Sequence, residues 1–212
     1  MTGSDLQRRR LLSQRALVST PALFVDRDGV LIEDRHYLAD PRDVVLCAGV
    51  KDLLGAAFRL RLPVVVITNQ SGITRGLFTW DVYECVTDRM LRLLGGLAPV
   101  SAIYASGHGP DTPDSTWRKP GPGMLQQAAS DLNLSLEHSL LIGDRLTDLQ
   151  AGEAAGLPWL LHLRSGHGLQ ERELVERWAH NLQKRPCAAR HIEITWLEAL
   201  ADVPLDRLPT PR

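Results

Sequence analysis

The chain has 212 residues, of which 44% are hydrophobic and 23% charged, a composition typical of one soluble globular domain with a full-sized core. Its formal charge of −1 gives no overall attraction to nucleic acid or to an anionic membrane, so neither is expected as a partner. The three cysteines, Cys47, Cys85 and Cys187, show no CxxC or CxH spacing, which indicates a reducing compartment and argues against disulfides and a thiolate metal site.

The first twenty residues predict a flexible basic extension. Four arginines at positions 8, 9, 10 and 15 are followed only by the short apolar run ALV, whereas a signal peptide needs a longer apolar region. No apolar run reaches the roughly 18 residues that span a bilayer. We therefore expect residues 1–20 to be solvated or loosely helical, with a basic tether to a partner as the alternative. The default expectation is a cytoplasmic monomer.

Short apolar runs then alternate with helical patterns. Runs that are apolar throughout are typical of strands buried on both faces. They occupy residues 22–25, 63–67, 101–105, 139–142 and 158–163. Helical spacing is found in residues 49–61, 79–94, 122–134 and 146–156, the second with Thr79 as a candidate N-cap and an apolar stripe of Val82, Cys85, Val86, Met90 and Leu93. This alternation predicts an α/β fold whose central parallel sheet lies between layers of helices.

The alternation weakens beyond Gly168. The remaining residues predict a polar-faced helix, then a last strand and helix, and a disordered tip over residues 204–212. We therefore expect an N-terminal extension over residues 1–20, a core domain over 21–168, and a C-terminal extension and tail over 169–212.

Polar residues follow the predicted strands at the points where a parallel sheet carries its chemistry. They are Asp26 and Asp28 after the first strand, Thr68 and Asn69 after the second, Arg118 and Lys119 before the third helix of the alternation, and Asp144 and Asp148 after the fourth strand. Acids, a hydroxyl, an amide and a lysine are together the groups that phosphoryl transfer requires. An aspartate can carry the phosphoryl group if a divalent cation neutralises charge, and Mg²⁺ suits carboxylate ligands best. A second aspartate can protonate the leaving oxygen and later activate water.

In this order the motifs resemble the haloacid dehalogenase-like (HAD) phosphatases over roughly residues 22–167. The resemblance implies a three-layer HAD-like Rossmannoid fold, with Asp26 as nucleophile and Asp28 as the acid and base that also offers the metal its backbone carbonyl. It implies catalytic roles for Thr68 and Lys119, phosphate binding by Asn69, magnesium binding by Asp26, Asp28 and Asp144, and support of that site by Asp148. The short intervals between the motifs leave no room for a large cap domain.

Three longer stretches narrow the resemblance. DGVLIEDRHYL, VVVITNQSGITRGLFT and WRKPGPGML are similar to the D-glycero-D-manno-heptose 1,7-bisphosphate phosphatases and the related histidinol-phosphate phosphatases. This implies that Arg118 contacts the substrate away from the catalytic centre, and that the sugar pocket is lined by Gln70, Ser71, Gly72 and Arg75. The implied function is magnesium-dependent hydrolysis of the C7 phosphate of heptose bisphosphate, in the synthesis of lipopolysaccharide core or nucleotide-activated heptose. Histidinol phosphate, a generalist small-molecule phosphatase and a catalytically silent binding module remain alternatives.

The stretch ASGHGPDTPDSTWRKP departs from this branch, whose members usually carry a CxH…CxC loop that holds structural zinc. Ser106, Ser115 and Trp117 fall where the cysteines would be, and only His108 remains. One histidine cannot form a tetrahedral zinc site, so we expect no structural Zn²⁺.

Several assignments keep a structural alternative. Asp148 could be only a helix cap or an ion-pair partner, and Arg118 could be a surface arginine. His36 and Tyr37 could either contact the substrate or form the pocket wall.

Overall fold

The computed structural model describes residues 3–96, 98–111, 116–184 and 191–211. Within these ranges the chain forms seven strands: β1 Gln7–Leu11, β2 Leu23–Val25, β3 Val64–Asn69, β4 Val100–Ser106, β5 Leu140–Gly143, β6 Trp159–Leu163 and β7 Glu193–Leu197. Five α-helices accompany them: α1 Val50–Arg59, α2 Trp80–Leu94, α3 Gly123–Leu132, α4 Leu146–Ala155 and α5 Gly168–Gln183. The α/β prediction is confirmed, and each predicted strand and helix of the alternation lies within a few residues of its observed bounds.

All seven strands form one sheet in the order β1-β4-β3-β2-β5-β6-β7. Every neighbouring pair is parallel except β1 and β4, which are antiparallel. From β2 the chain builds outward through β3 and β4, then returns to the other side of β2 and continues through β5 to β7. The strand order therefore reverses between β2 and β5, where a ligand crevice is expected in such a sheet.

The central strands are buried on both faces, as their continuous apolar runs predict. Because side chains alternate along a strand, Leu23 and Val25 of β2 pack in the cluster that includes α1 and α2, while Phe24 packs in the cluster that includes α3, α4 and α5. Within the described ranges, no segment between strands forms a cap domain. The connection from β2 to α1 contains the 3₁₀ turn Pro41–Asp43 and two isolated bridges, Asp28–Ile32 and Ile32–Leu46.

The N-terminal segment differs from the expected solvated or loosely helical extension. Its residues Gln7–Leu11 pair with β4 as an edge strand, and their side chains are exposed or half-buried. Arg9 pairs with Asp131 of α3 at 3.2 Å, and Arg10 pairs with Asp88 of α2 at 2.6 Å. Two of the four arginines that suggested a tether to a partner, Arg9 and Arg10, thus contact this chain's own acids. A polar edge strand carries no continuous apolar run, so the pattern used for the buried strands could not detect it.

The C-terminal segment completes the same sheet. Helix α5 and strand β7 are present as predicted, but the predicted last helix is only the 3₁₀ turn Leu200–Asp202. The predicted disordered tip contains a further turn, Leu205–Arg207, and Leu208 is buried in the core cluster that includes α1. Apolar contacts at Leu200, Val203 and Leu208 explain this order. Among the described helices, none has both the length and the apolar character that a bilayer crossing demands.

Candidate active site

The carboxyl ends of β2 and β5 bring two aspartates together at the switch point. Asp26 directly follows β2 and Asp144 directly follows β5, and they are 7% and 1% exposed. The backbone N–H of Asp26 donates to the carbonyl of Ile142 at 3.0 Å, which ties the two strand ends together. These two predicted metal ligands therefore share one crevice.

Lys119 is the cation of this crevice. Its side chain is 2% exposed, and its ammonium lies 2.9 Å from Oδ1 of Asp26 and 2.6 Å from Oδ1 of Asp148. The ammonium donates a third hydrogen bond to the carbonyl of Ile67 at 3.0 Å. A buried charge is tolerated only when it is paired and hydrogen-bonded, and all three donors of Lys119 meet that requirement.

Asp148 both caps a helix and pairs with the lysine. It lies in the first turn of α4, and its Oδ2 accepts the N–H of Arg145 at 2.9 Å while Oδ1 faces Lys119. Both structural alternatives that the sequence left open for this residue are thus realised. Its position within reach of Asp26 and Asp144 also suits the supporting task that the resemblance implies.

The carboxylate of Asp144 is held on one side only. Oδ2 accepts the N–H of His167 at 2.7 Å, whereas Oδ1 is buried with no hydrogen-bond partner in the described part of the chain. Two glycines pack against this group: a Cβ on Gly29 would lie 2.4 Å from Oδ2, and one on Gly166 would lie 2.3 Å from it. Gly29 also has a φ of +84°, in the region that favours glycine.

The crevice is short of positive charge. One carboxylate oxygen from each of Asp26, Asp144 and Asp148 lies within 4.8 Å of the others, with Lys119 as the neighbouring ammonium. Burial is the main cause that raises the pKa of Asp26 to about 7. Lys119 opposes this rise, and the neighbouring Asp148 and Asp28 add to it. Burial, then Asp148 and Asp26, raises the pKa of Asp144 well above its ordinary value. Burial opposes the charge of Lys119, but Asp148 and Asp26 outweigh it and raise the pKa of that ammonium. With an oxygen left unpaired, this donor set fits a hard divalent cation such as Mg²⁺.

Asp28 is oriented by a residue that the sequence reasoning missed. Arg27 is 2% exposed and donates to both carboxylate oxygens of Asp28 at 3.0–3.3 Å. Arg27 also donates to Oε1 of Gln70 at 3.1 Å, and its guanidinium lies 5.2 Å from the ring centroid of Tyr83. The sequence feature that could have identified Arg27 is its position between two acids at the end of a buried strand.

Three residues at the carboxyl end of β3, Thr68, Asn69 and Gln70, are hydrogen-bonded to the groups around Asp28 and Lys119. The side-chain amide of Gln70 donates to Oδ2 of Asp28 at 2.8 Å and to Oγ1 of Thr68 at 2.7 Å. Asn69 exchanges two hydrogen bonds with the backbone of Lys119, at 3.0 and 3.1 Å. These two amides thereby fix the positions of Asp28 and Lys119 relative to β3.

A cavity of about 430 Å³ opens above these groups. It brings together most of the predicted site residues: Asp26, Asp28, Thr68, Asn69, Gln70, Ser71, Gly72, Arg75, Arg118, Lys119 and Asp148. Asp144 lies in the buried floor rather than among the lining residues. The wall also contains residues that the predicted set lacks: Arg27, Asp34, His36, Tyr37, Arg145, Thr147 and His167. Of these, His36 and Tyr37 line the cavity, a position that fits both alternatives left by the sequence, substrate contact and pocket wall.

Arg75, Arg118 and Arg145 are among the residues that line the cavity. Arg118 donates to the carbonyl of His108 at 2.9 Å, and Arg75 donates to the hydroxyl of Tyr37. Burial, then the nearby Arg145 and Arg75, lowers the pKa of Arg118. Like charges close enough to perturb one another indicate a site for an anion. Arg118 is therefore part of the cavity rather than a plain surface residue.

The stretch that replaces the zinc loop uses other contacts. Oγ of Ser106 lies 3.1 Å from Nδ1 of His108, both residues being buried, and Nε1 of Trp117 donates to the carbonyl of Ala105 at 3.0 Å. Ser115 lies outside the described residues. The expectation of no structural Zn²⁺ stays a prediction.

Comparison with known proteins adds an independent finding. Residues 116–184 match the family model of HAD-hydrolase-like proteins. The chain is 44% identical over 150 residues to D-glycero-beta-D-manno-heptose-1,7-bisphosphate 7-phosphatase of Mesorhizobium japonicum, covering 66% of this chain and 69% of that protein. It is 38% identical over 143 residues to D-glycero-alpha-D-manno-heptose-1,7-bisphosphate 7-phosphatase of Burkholderia mallei, covering 64% and 76%. A crystal structure of D,D-heptose 1,7-bisphosphate phosphatase from B. bronchiseptica with magnesium and phosphate matches with a TM-score of 0.73 and 28% identity, over 89% of this chain and 97% of that one.

Proposed function

The chain belongs to the HAD-like hydrolases and is a phosphoric monoester hydrolase, and from this premise we propose that it removes the C7 phosphate of a D-glycero-D-manno-heptose 1,7-bisphosphate. The observation that carries the proposal is the junction of Asp26, Lys119 and the half-satisfied Asp144 at the base of an arginine-lined cavity. The heptose bisphosphate phosphatases similar to the chain support the choice of substrate.

Mg²⁺ is the proposed cofactor. Asp26, Asp144 and the backbone carbonyl of Asp28 would hold it, and it would supply positive charge to the carboxylates and to the bound phosphate. The unpaired Oδ1 of Asp144 and the raised pKa values of Asp26 and Asp144 support this assignment. Asp148 then keeps Lys119 turned toward Asp26.

The proposed reaction has two steps on Asp26. Its carboxylate oxygen attacks phosphorus while Asp28 gives a proton to the leaving sugar oxygen, which leaves an aspartyl-phosphate. Asp28 then takes a proton from water, whose oxygen attacks the same phosphorus and releases inorganic phosphate. Lys119 neutralises charge on the transferring group throughout, and the Thr68 hydroxyl donates to one of its oxygens. Arg27 and Gln70 hold Asp28 in register with the nucleophile.

The arginines of the cavity favour a bisphosphate over histidinol phosphate. Arg75, Arg118 and Arg145 together present positive charge to the part of the substrate that does not react. The second phosphate of heptose bisphosphate is attracted to that charge, whereas the ammonium group of histidinol phosphate is repelled by it. Histidinol phosphate and other small phosphomonoesters are therefore the weaker candidates. A cytoplasmic monomer remains the expectation from composition.

The test is a comparison of kcat/KM on both anomers of heptose 1,7-bisphosphate and on histidinol phosphate, with Mg²⁺ restored after chelation. We expect heptose bisphosphate to be preferred, and Asp26→Asn to lose at least about a thousandfold in kcat because the nucleophile is gone. A preference for histidinol phosphate would overturn the substrate. An Asp26→Asn enzyme with most of the wild-type turnover would overturn the mechanism while leaving the substrate open.

A further inference from the structure

A second cluster of metal-ligating side chains lies on the wall of the cavity, apart from the buried carboxylates. It consists of Asp34, His36 and His167, and one ligand atom from each lies within 4.8 Å of the others. The ring Nε2 of His167 is 2.8 Å from Oδ2 of Asp34, and the His36 and His167 rings stack with centroids 6.0 Å apart. The proposed reaction does not use this cluster, although the stretch DGVLIEDRHYL contains Asp34 and His36.

Two separate loops build the cluster. Asp34 and His36 belong to the connection after β2, where Oδ1 of Asp34 accepts the N–H of His36 at 3.1 Å. His36 has a φ of +41°, so its backbone turns sharply at this point. His167 precedes α5, and its own N–H is anchored on the carboxylate of Asp144 at 2.7 Å. The backbone positions of the cluster are therefore held from both sides, while the side chains reach into the cavity.

We propose that Asp34, His36 and His167 bind a transition-metal ion of the zinc class. Two imidazoles and one carboxylate form a standard three-residue ligand set for zinc, which leaves a fourth position open. Because all three residues line the cavity, that position faces the space where substrate binds, and water or an anionic oxygen can occupy it. The hard Mg²⁺ ion prefers oxygen ligands, so the two sites select different metals.

Only small side-chain adjustments are needed. In a tetrahedral site with bonds of about 2.1 Å, ligand atoms are about 3.4 Å apart. The 2.8 Å contact of Asp34 with His167 therefore has to widen slightly, and the ligand atom of His36 already lies within 4.8 Å of both. His36 is exposed, which leaves its ring room to turn. The inference does not depend on the substrate, since it concerns metal binding alone. The rival interpretation is that Asp34 and His167 form a simple hydrogen bond with His36 stacked on it.

Co²⁺ is a suitable probe, since a tetrahedral Co²⁺ site with nitrogen ligands absorbs far more strongly in the visible than an octahedral oxygen site. The full chain, stripped by a chelator, is titrated with Co²⁺ in excess Mg²⁺ at about pH 8, because metal binding requires deprotonated ligands. Zn²⁺ binding is measured in parallel by calorimetry. We expect one equivalent of Co²⁺ with strong visible absorption, displaced by Zn²⁺, in the wild type and equally in Asp26→Asn.

Variants decide between the two interpretations. His36→Gln and His167→Gln should each weaken Zn²⁺ binding at least about tenfold and remove the strong absorption. His180→Gln is the matched control, because His180 is an exposed histidine of α5. The proposal is overturned if wild type and His36→Gln bind Zn²⁺ alike, or if only weak octahedral absorption appears. His36→Gln alone suffices should His167→Gln fail to fold, since His36 lies at the surface.

Discussion

Replacing Asp26 by asparagine should stabilise the protein in the absence of metal while abolishing turnover. Burial raises the pKa of Asp26 from 3.8 to about 7, so the folded chain holds a proton that the unfolded chain has already lost. Stability due to this group is therefore complete below about pH 4 and is lost as the pH rises through about 7. Relative to low pH, the free energy of unfolding that is lost through this group is about 4 kcal/mol at pH 8 and about 2 kcal/mol at pH 5. Asparagine never ionises, so the variant escapes this loss.

The measurement is urea-induced unfolding of both proteins with a chelator present, at about pH 5 and about pH 8. The stability difference in favour of Asp26→Asn should be larger at pH 8 by about 2 kcal/mol, as an order of magnitude. Adding Mg²⁺ should shrink it, because metal at a hundred times its Kd stabilises the wild type by about 2.7 kcal/mol. Asp52→Asn, an exposed acid of α1, is the control and should change stability by less than about 0.5 kcal/mol at either pH. An advantage that is absent, or equal at both pH values, would refute the charge imbalance on which the metal site rests.

Three further changes test other parts of the structure. Lys119→Met leaves two buried carboxylates without their cation and should destabilise the metal-free protein by about 3–5 kcal/mol, more at pH 8 than at pH 5, whereas exposed Lys51→Met should not. Gly29→Ala places a methyl group 2.4 Å from the Asp144 carboxylate and should reduce the Mg²⁺-dependent rise in Tm, while Gly76→Ala, with a similar φ but no atom within 4 Å, should strain the turn alone. Deleting residues 1–12 removes β1 and should cause concentration-dependent association, measured by light scattering, because the β4 edge becomes available; a monomeric deletion variant of wild-type stability would contradict this.

Much of the fold could be predicted because its central strands are apolar on both faces. β2, β3, β4, β5 and β6 each contain a continuous apolar run, and the helices between them start near the predicted residues. The predicted cap of α2 is confirmed, since Thr79 accepts the N–H of Val82. Periodicity failed where burial was decided by tertiary contacts rather than by local pattern. β1 is polar and is ordered by its partner strand, so its own residues carry little signal.

The buried face of α2 shows the same limit. Cys85 and Leu93 belong to the apolar stripe at helical spacing, but Cys85 is exposed and Leu93 is only partly buried. The structure instead buries Tyr83, Thr87 and Leu94, together with the predicted Val86 and Met90. Tyr83 lies against the guanidinium of Arg27 at 5.2 Å, a contact that the sequence of the helix alone cannot reveal. The buried face of α2 therefore includes a position, Tyr83, that packs against a buried charge on another element.

The candidate site was more predictable than the loops around it. Asp26, Asp144 and Lys119 were recognisable because polar groups after buried strands have few structural reasons to be there. Arg27 and His167 were missed because their contacts join segments far apart in the chain: Arg27 reaches Gln70, and the N–H of His167 reaches Asp144. The unpaired oxygen of Asp144 is likewise a property of the assembled site, since it depends on which donors the fold leaves out.

The separation of negative and positive side chains within the cavity sets the orientation in which the proposed substrate binds. The floor gathers the carboxylates of Asp26 and Asp144, whereas Arg75, Arg118 and Arg145 lie on the lining. A phosphate group is repelled by bare carboxylates, so it reaches Asp26 only when Lys119 and a bound cation offset them. Under the proposed function, the arginines would hold a second phosphate with no such condition. Under the proposed function, a bisphosphate therefore binds by its outer phosphate even without Mg²⁺, and the metal governs delivery of the reacting phosphate to Asp26.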